Sequence, residues 1–301
     1  MAAAPTKKAI VRVLALPGYT QNAAILSRKM GSVRKTSKQV DWVFLDPPHI
    51  LDKVDFGNGT ATLADFDSES TMDQEQRTPE TTPRAWFTAS HDHDDPNNVK
   101  TTYNMMDETI AYLHDFVTTQ DEPFDGVFGF SQGACMAALL AALIEKPLFH
   151  PKFPAHPKLK PFKFAICCGG FEAADLALAK FYPVATPTLH IIGKNDTIVT
   201  EERSRTLIRH CDDYRVELHD GSHFVPSKAN WRHFLAAYIT SFTEGGEQGD
   251  VPPPSTFGPQ STNTSAAGTR QGTPEPNAAV GGAESKDPKG QSKDPKGQSS
   301  L

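Results

Sequence analysis

Five residues, Gly129-Phe130-Ser131-Gln132-Gly133, stand between a short apolar run, Phe124 to Phe130, and a longer one, Ala134 to Ile144. A G-x-S-x-G pattern alone is common. At the junction of an expected strand and an expected helix it meets the requirement of a nucleophile elbow. The glycines at 129 and 133 leave room for a sharp turn that lifts the serine hydroxyl above a sheet. The following helix then aims its unpaired N–H groups at the reacting centre. The plainer alternative is a Ser-Gln turn between two packed elements, and the rest of the chain has to separate the two.

A serine hydroxyl needs a base within hydrogen-bond reach and a third group to orient that base. Where the serine sits on such an elbow, the chain order is Ser, then Asp or Glu, then His. Downstream, Thr188-Leu189-His190-Ile191-Ile192-Gly193 reads as a strand and is followed by Lys194-Asn195-Asp196. Tyr214 to Leu218 alternates as a strand and leads into Asp220-Gly221-Ser222-His223. Type, order and placement predict a triad of Ser131, Asp196 and His223. The rivals fit less well. His219 continues the strand alternation, His210 ends the helical stretch Glu201 to His210, and Asp212 and Asp213 follow a helix. An oxyanion needs two donors. The N–H of Gln132, after the nucleophile, is one. Tyr19, in the turn-rich Pro17 to Asn22 that follows the strand Ala9 to Leu16, is the candidate for the other.

Several of these segments resemble the FSH family of serine hydrolases, which are α/β-hydrolases. They are Leu14-Ala15-Leu16-Pro17-Gly18-Tyr19-Thr20-Gln21-Asn22, Asp46-Pro47-Pro48, Arg84-Ala85-Trp86-Phe87, the stretch Phe124 to Ala134, and Gly221-Ser222-His223-Phe224-Val225-Pro226. The resemblance runs from Ala9 to Phe242. It implies the same Ser131, Asp196 and His223, and hydrolysis of carboxylic esters or thioesters. In the fungal members it extends to release of acyl chains from polyketide synthases, so a carrier-protein-bound acyl chain joins small esters as an expected partner. Many relatives carry histidine where this chain has Pro17. Proline has no N–H, but the expected donor follows the glycine, so the oxyanion hole is expected to survive.

The expected architecture is one α/β-hydrolase domain, residues 7–243, with a mostly parallel sheet covered by helices on both faces. Val40 to Leu45 and Phe162 to Cys168 supply further strands. Tyr103, Met106, Ile110, Leu113 and Val117 repeat at helical spacing, and a stripe from Trp231 to Phe242 makes a closing helix. Residues 52–98 are acidic, turn-rich and too long for a simple connection, which predicts a lid-like insertion. Residues 244–301 are rich in proline and glycine, repeat Ser-Lys-Asp-Pro-Lys-Gly-Gln in tandem, and read as a disordered tail.

The formal net charge of -6 gives no electrostatic case for binding nucleic acid or an anionic membrane. The longest apolar run, Ala134 to Ile144, is too short to span a bilayer. Met1 to Lys8 lacks the apolar core of a secretory leader. The cysteines, Cys135, Cys167, Cys168 and Cys211, form no C-x-x-C pair and read as reduced core thiols. The expected location is the cytoplasm, with the nucleus also open. His91-Asp92-His93-Asp94-Asp95 has an H-x-H-x-D spacing, but Pro96 stands where a further ligand would follow. The expectation is therefore a solvated loop, no metal and no cofactor. A metal-dependent hydrolase and a non-catalytic binding module that kept the fold are the rival readings.

Overall fold

The computed structural model describes residues 11–55, 61–92, 100–243 and 250–258. The first half contains β1 (Val11–Leu16), α1 (Ala23–Lys29), α2 (Gly31–Thr36), β2 (Val40–Phe44), β3 (His49–Ile50), β4 (Arg84–Ala85), β5 (Thr88–Asp92), β6 (Lys100–Asn104) and α3 (Met106–Thr119). The second contains β7 (Gly126–Phe130), α4 (Gln132–Glu145), β8 (Phe164–Cys168), β9 (Thr188–Gly193), α5 (Glu201–Ile208), β10 (Tyr214–His219) and α6 (Ala229–Ser241).

Six of the strands form one parallel sheet in the order β10-β9-β8-β7-β1-β2. Successive side chains along a strand face opposite sides, and the sheet uses this to build two cores. Val11, Val13, Ala15, Phe128 and Phe130 meet α1, α2 and α6 on one face, while Leu14, Leu16 and Val127 meet α3 and α4 on the other. Every residue of α4 from Gln132 to Ile144 is buried, which is why its sequence is apolar all round. Strand β1 pairs with β2 on one side and β7 on the other, with Leu16 opposite Gly129. The chain order reverses there, so the loops leaving β1 and β7 diverge around a crevice at the carboxyl edge of the sheet.

Two expectations are corrected. Tyr103 lies on β6, before the helix, because Met105 takes a left-handed φ of 64° and the helix begins at Met106. It is still buried, stacked on Phe87 at 4.0 Å between ring centroids. Residues 250–258, placed in the tail by composition, pack on the domain. Val251 is buried and its carbonyl accepts from Arg215 Nη1 at 2.6 Å. A 3₁₀ turn at Pro254–Phe257 sets Phe257 edge-on to Phe234 of α6, 6.3 Å away. Two apolar side chains are enough to anchor a segment whose average composition reads as disordered. Residues 244–249 and 259–301 lie outside the described residues.

A chain ending at Thr243 should therefore melt on the order of 5 °C below one ending at Gly258, since it loses the burial of one valine and one phenylalanine. Scanning calorimetry of the two truncations checks this. Equal melting temperatures would return residues 250–258 to the tail.

Candidate active site

The elbow is held together by crowding. Ser131 has φ 54° and ψ −119°, a conformation that costs a non-glycine residue about 1–3 kcal/mol. Its N–H donates to Cys168 O at 2.8 Å, which fixes the serine to β8. A Cβ on Gly129 would lie 2.1 Å from Gly133 O, and one on Gly133 would lie 2.0 Å from Leu16 O. Neither glycine has a positive φ. Both are glycine because backbones touch where α4 turns back over β7 and β1.

The structure brings Ser131, Asp196 and His223 into one hydrogen-bonded chain. His223 Nε2 lies 2.9 Å from Ser131 Oγ, and Nδ1 lies 2.7 Å from Asp196 Oδ2. All three side chains are buried. Asp196 sits on the loop after β9, where its Oδ1 accepts from the N–H groups of Ile198 and Val199 at 2.9 and 2.8 Å. Those two bonds leave Oδ2 aimed at the imidazole. The ring of His223 rests against Phe130, 4.8 Å between centroids, and edge-on to Phe66 at 6.5 Å. Gly169, at φ +57°, lies under it, and a Cβ there would reach within 3.1 Å of Cε1. The imidazole is thus enclosed by groups that admit one orientation.

The rival residues lie elsewhere. His219 ends β10, where its Nδ1 accepts from Gly221 N at 3.2 Å and its ring packs on Phe224 and Trp231. This shapes the loop that carries His223. His210 lies just beyond α5 and pairs with Glu172 at 3.2 Å.

Both residues expected to supply the oxyanion donors line the cleft with Ser131. Gln132 is the first residue of α4, so its N–H has no partner within the helix. The loop after β1 approaches from the other side, and a Cβ on Gly18 would lie 3.2 Å from Ser131 Cβ. That contact sets Tyr19, the next residue, at the rim of the cleft above Ser131. Pro17, the departure from the resemblance, contributes its carbonyl instead, which accepts from Trp86 Nε1 at 2.8 Å.

Sequence reasoning missed the side chain of Gln132. Its Oε1 accepts from Trp86 N at 2.9 Å, and its Nε2 donates to Phe87 O at 2.8 Å. The residue after Ser131 therefore straps down the root of the insertion. Thr109 on α3 donates to Trp86 O and completes the anchor. The signal for this was a polar residue opening a helix that is otherwise apolar, since a buried amide must find partners. Gln21 and Asn22 do the same from the β1 loop. Gln21 Nε2 donates to Phe66 O and Asp67 O at 3.1 and 2.7 Å, while Asn22 caps α1 and donates to Pro79 O and Thr82 O. An ion pair of Lys29 with Asp67 at 2.7 Å adds a further tie. The described part of the insertion is thus a wall fixed at several points, and it carries Phe66 to the imidazole.

Between that wall and the loops after β8 and β9 lies an open cleft of about 930 Å³. Ser131 and Gln132 form its floor. Tyr19, Phe66 and Phe87 stand on one side, and Phe171, Ile198 and Arg203 on the other.

The cysteines stay outside the site, while His91 lines the same cleft as Ser131. All four cysteines are unpaired and buried. Burial pushes the thiols of Cys135 and Cys211 up to about 12 and raises those of Cys167 and Cys168 well above the usual thiol range. None of them is a thiolate near neutrality. His91 and Asp92 belong to β5, with His91 Nδ1 3.1 Å from Thr101 Oγ1, and the rest of the H-x-H-x-D motif lies outside the described residues. Among the described residues, no group of three or more His, Cys, Asp and Glu could hold a metal ion.

A family model described as serine hydrolase (FSH1) matches residues 7–235. The esterase OVCA2 of Danio rerio is 33% identical over 245 residues, covering 77% of this chain and 97% of that protein. A Schizosaccharomyces pombe protein named dihydrofolate reductase is 32% identical over 237 residues, which cover 77% of this chain. The chain spans 47% of that protein's length, so its name describes a longer polypeptide. Among solved structures, acyl-protein thioesterase 2 of Zea mays superposes with a TM-score of 0.51 at 15% identity, covering 80% of this chain and 96% of that one. At that identity the likeness concerns the fold, which is the α/β-hydrolase fold. With a family model spanning most of its length and an esterase relative matched nearly end to end, the chain belongs to the FSH1 family of serine hydrolases.

Proposed function

We propose that the protein hydrolyses carboxylic esters, and thioesters by the same route, through an acyl-enzyme on Ser131. The observation that carries this reading is the continuous chain from Asp196 through His223 to Ser131 Oγ at the floor of an open cleft. Ser131 Oγ attacks the acyl carbonyl while His223 Nε2 takes its proton. Asp196 keeps the other ring nitrogen protonated and stabilises the imidazolium. The N–H groups of Gln132 and Tyr19 hold the oxyanion. Collapse of the tetrahedral intermediate passes the proton from His223 to the departing alcohol or thiol. Water, deprotonated by the same imidazole, then releases the acid and restores the serine. A carrier-protein-bound acyl chain falls within this proposal as one kind of thioester. Four unpaired thiols favour a reducing compartment, cytoplasm or nucleus, as its place of work.

Treatment with a fluorophosphonate should add one phosphonyl group to the peptide containing Ser131, with activity lost in step. Matched oxygen esters and thioesters of one acyl chain, compared by kcat/KM, then decide the leaving group. An adduct on any other residue, with Ser131 unmodified in inactivated protein, would overturn the mechanism.

A further inference from the structure

The two walls of the cleft carry opposite charge. The insertion side presents Asp55 and Asp65. Asp65 accepts from the N–H and hydroxyl of Thr62 at 2.7 and 2.8 Å, and these bonds hold its carboxyl below the usual carboxylate range. The opposite side presents Arg203, on the first turn of α5. Its guanidinium stands over the ring of Phe171 at 4.8 Å and donates from Nη1 to Ile198 O at 2.8 Å. Stacking and one backbone bond fix a planar cation that still has donors to spare.

The nearby carboxylates that have partners in the structure bond to groups other than Arg203. Glu201 pairs with Arg205, Glu172 with His210, Asp196 with His223, and Asp175 accepts from the N–H groups of Tyr103 and Ala177. None of the ion pairs among the described residues includes Arg203. A held guanidinium in no ion pair among the described residues, in the same cleft as Ser131, has the properties of a recognition group, because a fork of donors suits a carboxylate.

Resting on the ester-hydrolase reading above, we infer that Arg203 selects substrates that carry a carboxylate in addition to the scissile ester. The acidic insertion wall works in the same direction, since it turns the anionic end of such a substrate toward α5. The substrate class is then the monoester of a dicarboxylic acid, or an ester whose leaving group bears the acid.

Two matched pairs test this: monomethyl against dimethyl glutarate, with the charge in the acyl part, and 4-acetoxybenzoate against its methyl ester, with the charge in the leaving group. The wild-type protein should favour the anionic member of at least one pair. In Arg203→Gln the ratio of kcat/KM, anionic over neutral, should fall about tenfold for that pair. Arg203→Lys should recover part of it, and added salt should shrink the wild-type ratio. The neutral ester serves as the internal control for folding. A ratio that Arg203→Gln leaves unchanged in both pairs, while neutral esters are still turned over, overturns the role of Arg203 alone. If wild-type protein hydrolyses no ester and Ser131 takes no fluorophosphonate, the hydrolase reading fails and this inference falls with it.

Discussion

Replacing Ser131 by alanine should lower kcat/KM on a short p-nitrophenyl ester by at least about 10⁴-fold and abolish fluorophosphonate labelling. The melting temperature should not fall. Alanine keeps the Cβ that packs against Gly18 and loses only Oγ, whose partner is His223. Alanine in place of Ser131 also keeps the N–H that bonds Cys168 O. The remaining rate should be the small acceleration that an oxyanion hole and binding supply without a nucleophile. Kinetics and calorimetry on one preparation provide the check. Full activity in Ser131→Ala would mean that the hydrogen-bonded chain is not the reaction centre.

Trp86→Ala should be the most damaging single truncation for stability. The indole is fully buried, and removing a buried tryptophan costs about 3–5 kcal/mol. The carbonyl of Pro17 loses the Nε1 donor at the same time, which adds the cost of an unsatisfied buried acceptor. Denaturant titration should show this loss in the midpoint. Whatever fraction folds should also be slow, by about 100-fold in kcat/KM, because the β1 loop beside Ser131 rests on the Trp86 indole and small misplacements at a reacting centre are expensive. A stability loss with undiminished kcat/KM would show that Trp86 supports the core and not the site.

The parts of the site that were legible in the sequence are those encoded locally. An elbow needs glycines two residues either side of the serine, and Gly129 and Gly133 announce the close approach that the backbone requires. Asp196 and His223 could be found because parallel strands deliver their C-terminal loops to one edge, so strand order became position. What stayed hidden depended on contacts far apart in the chain. The Gln132 side chain meets Trp86 and Phe87 some 45 residues upstream, and no short window contains both ends. Tyr103 kept helical spacing with Met106 and Ile110, yet the left-handed Met105 broke the helix before it. Residues 250–258 were hidden by averaging, since Val251 and Phe257 anchor what their neighbours' composition would leave loose.

On the mechanism proposed above, one residue, Gln132, offers the oxyanion its backbone amide, while its side chain holds the root of the wall that shapes the cleft. Access and reactivity are therefore not independent settings of this molecule. On that mechanism, a fluctuation that frees the Trp86–Phe87 segment also breaks both side-chain bonds of the first residue of α4, so a widened cleft would be an idle one. The chain can change what enters at Ala61 or Asp65, which line the cleft outside both the strap and the aromatic contacts of His223, with the reactive geometry left standing. Remodelling at residues 84–87 would alter both at once.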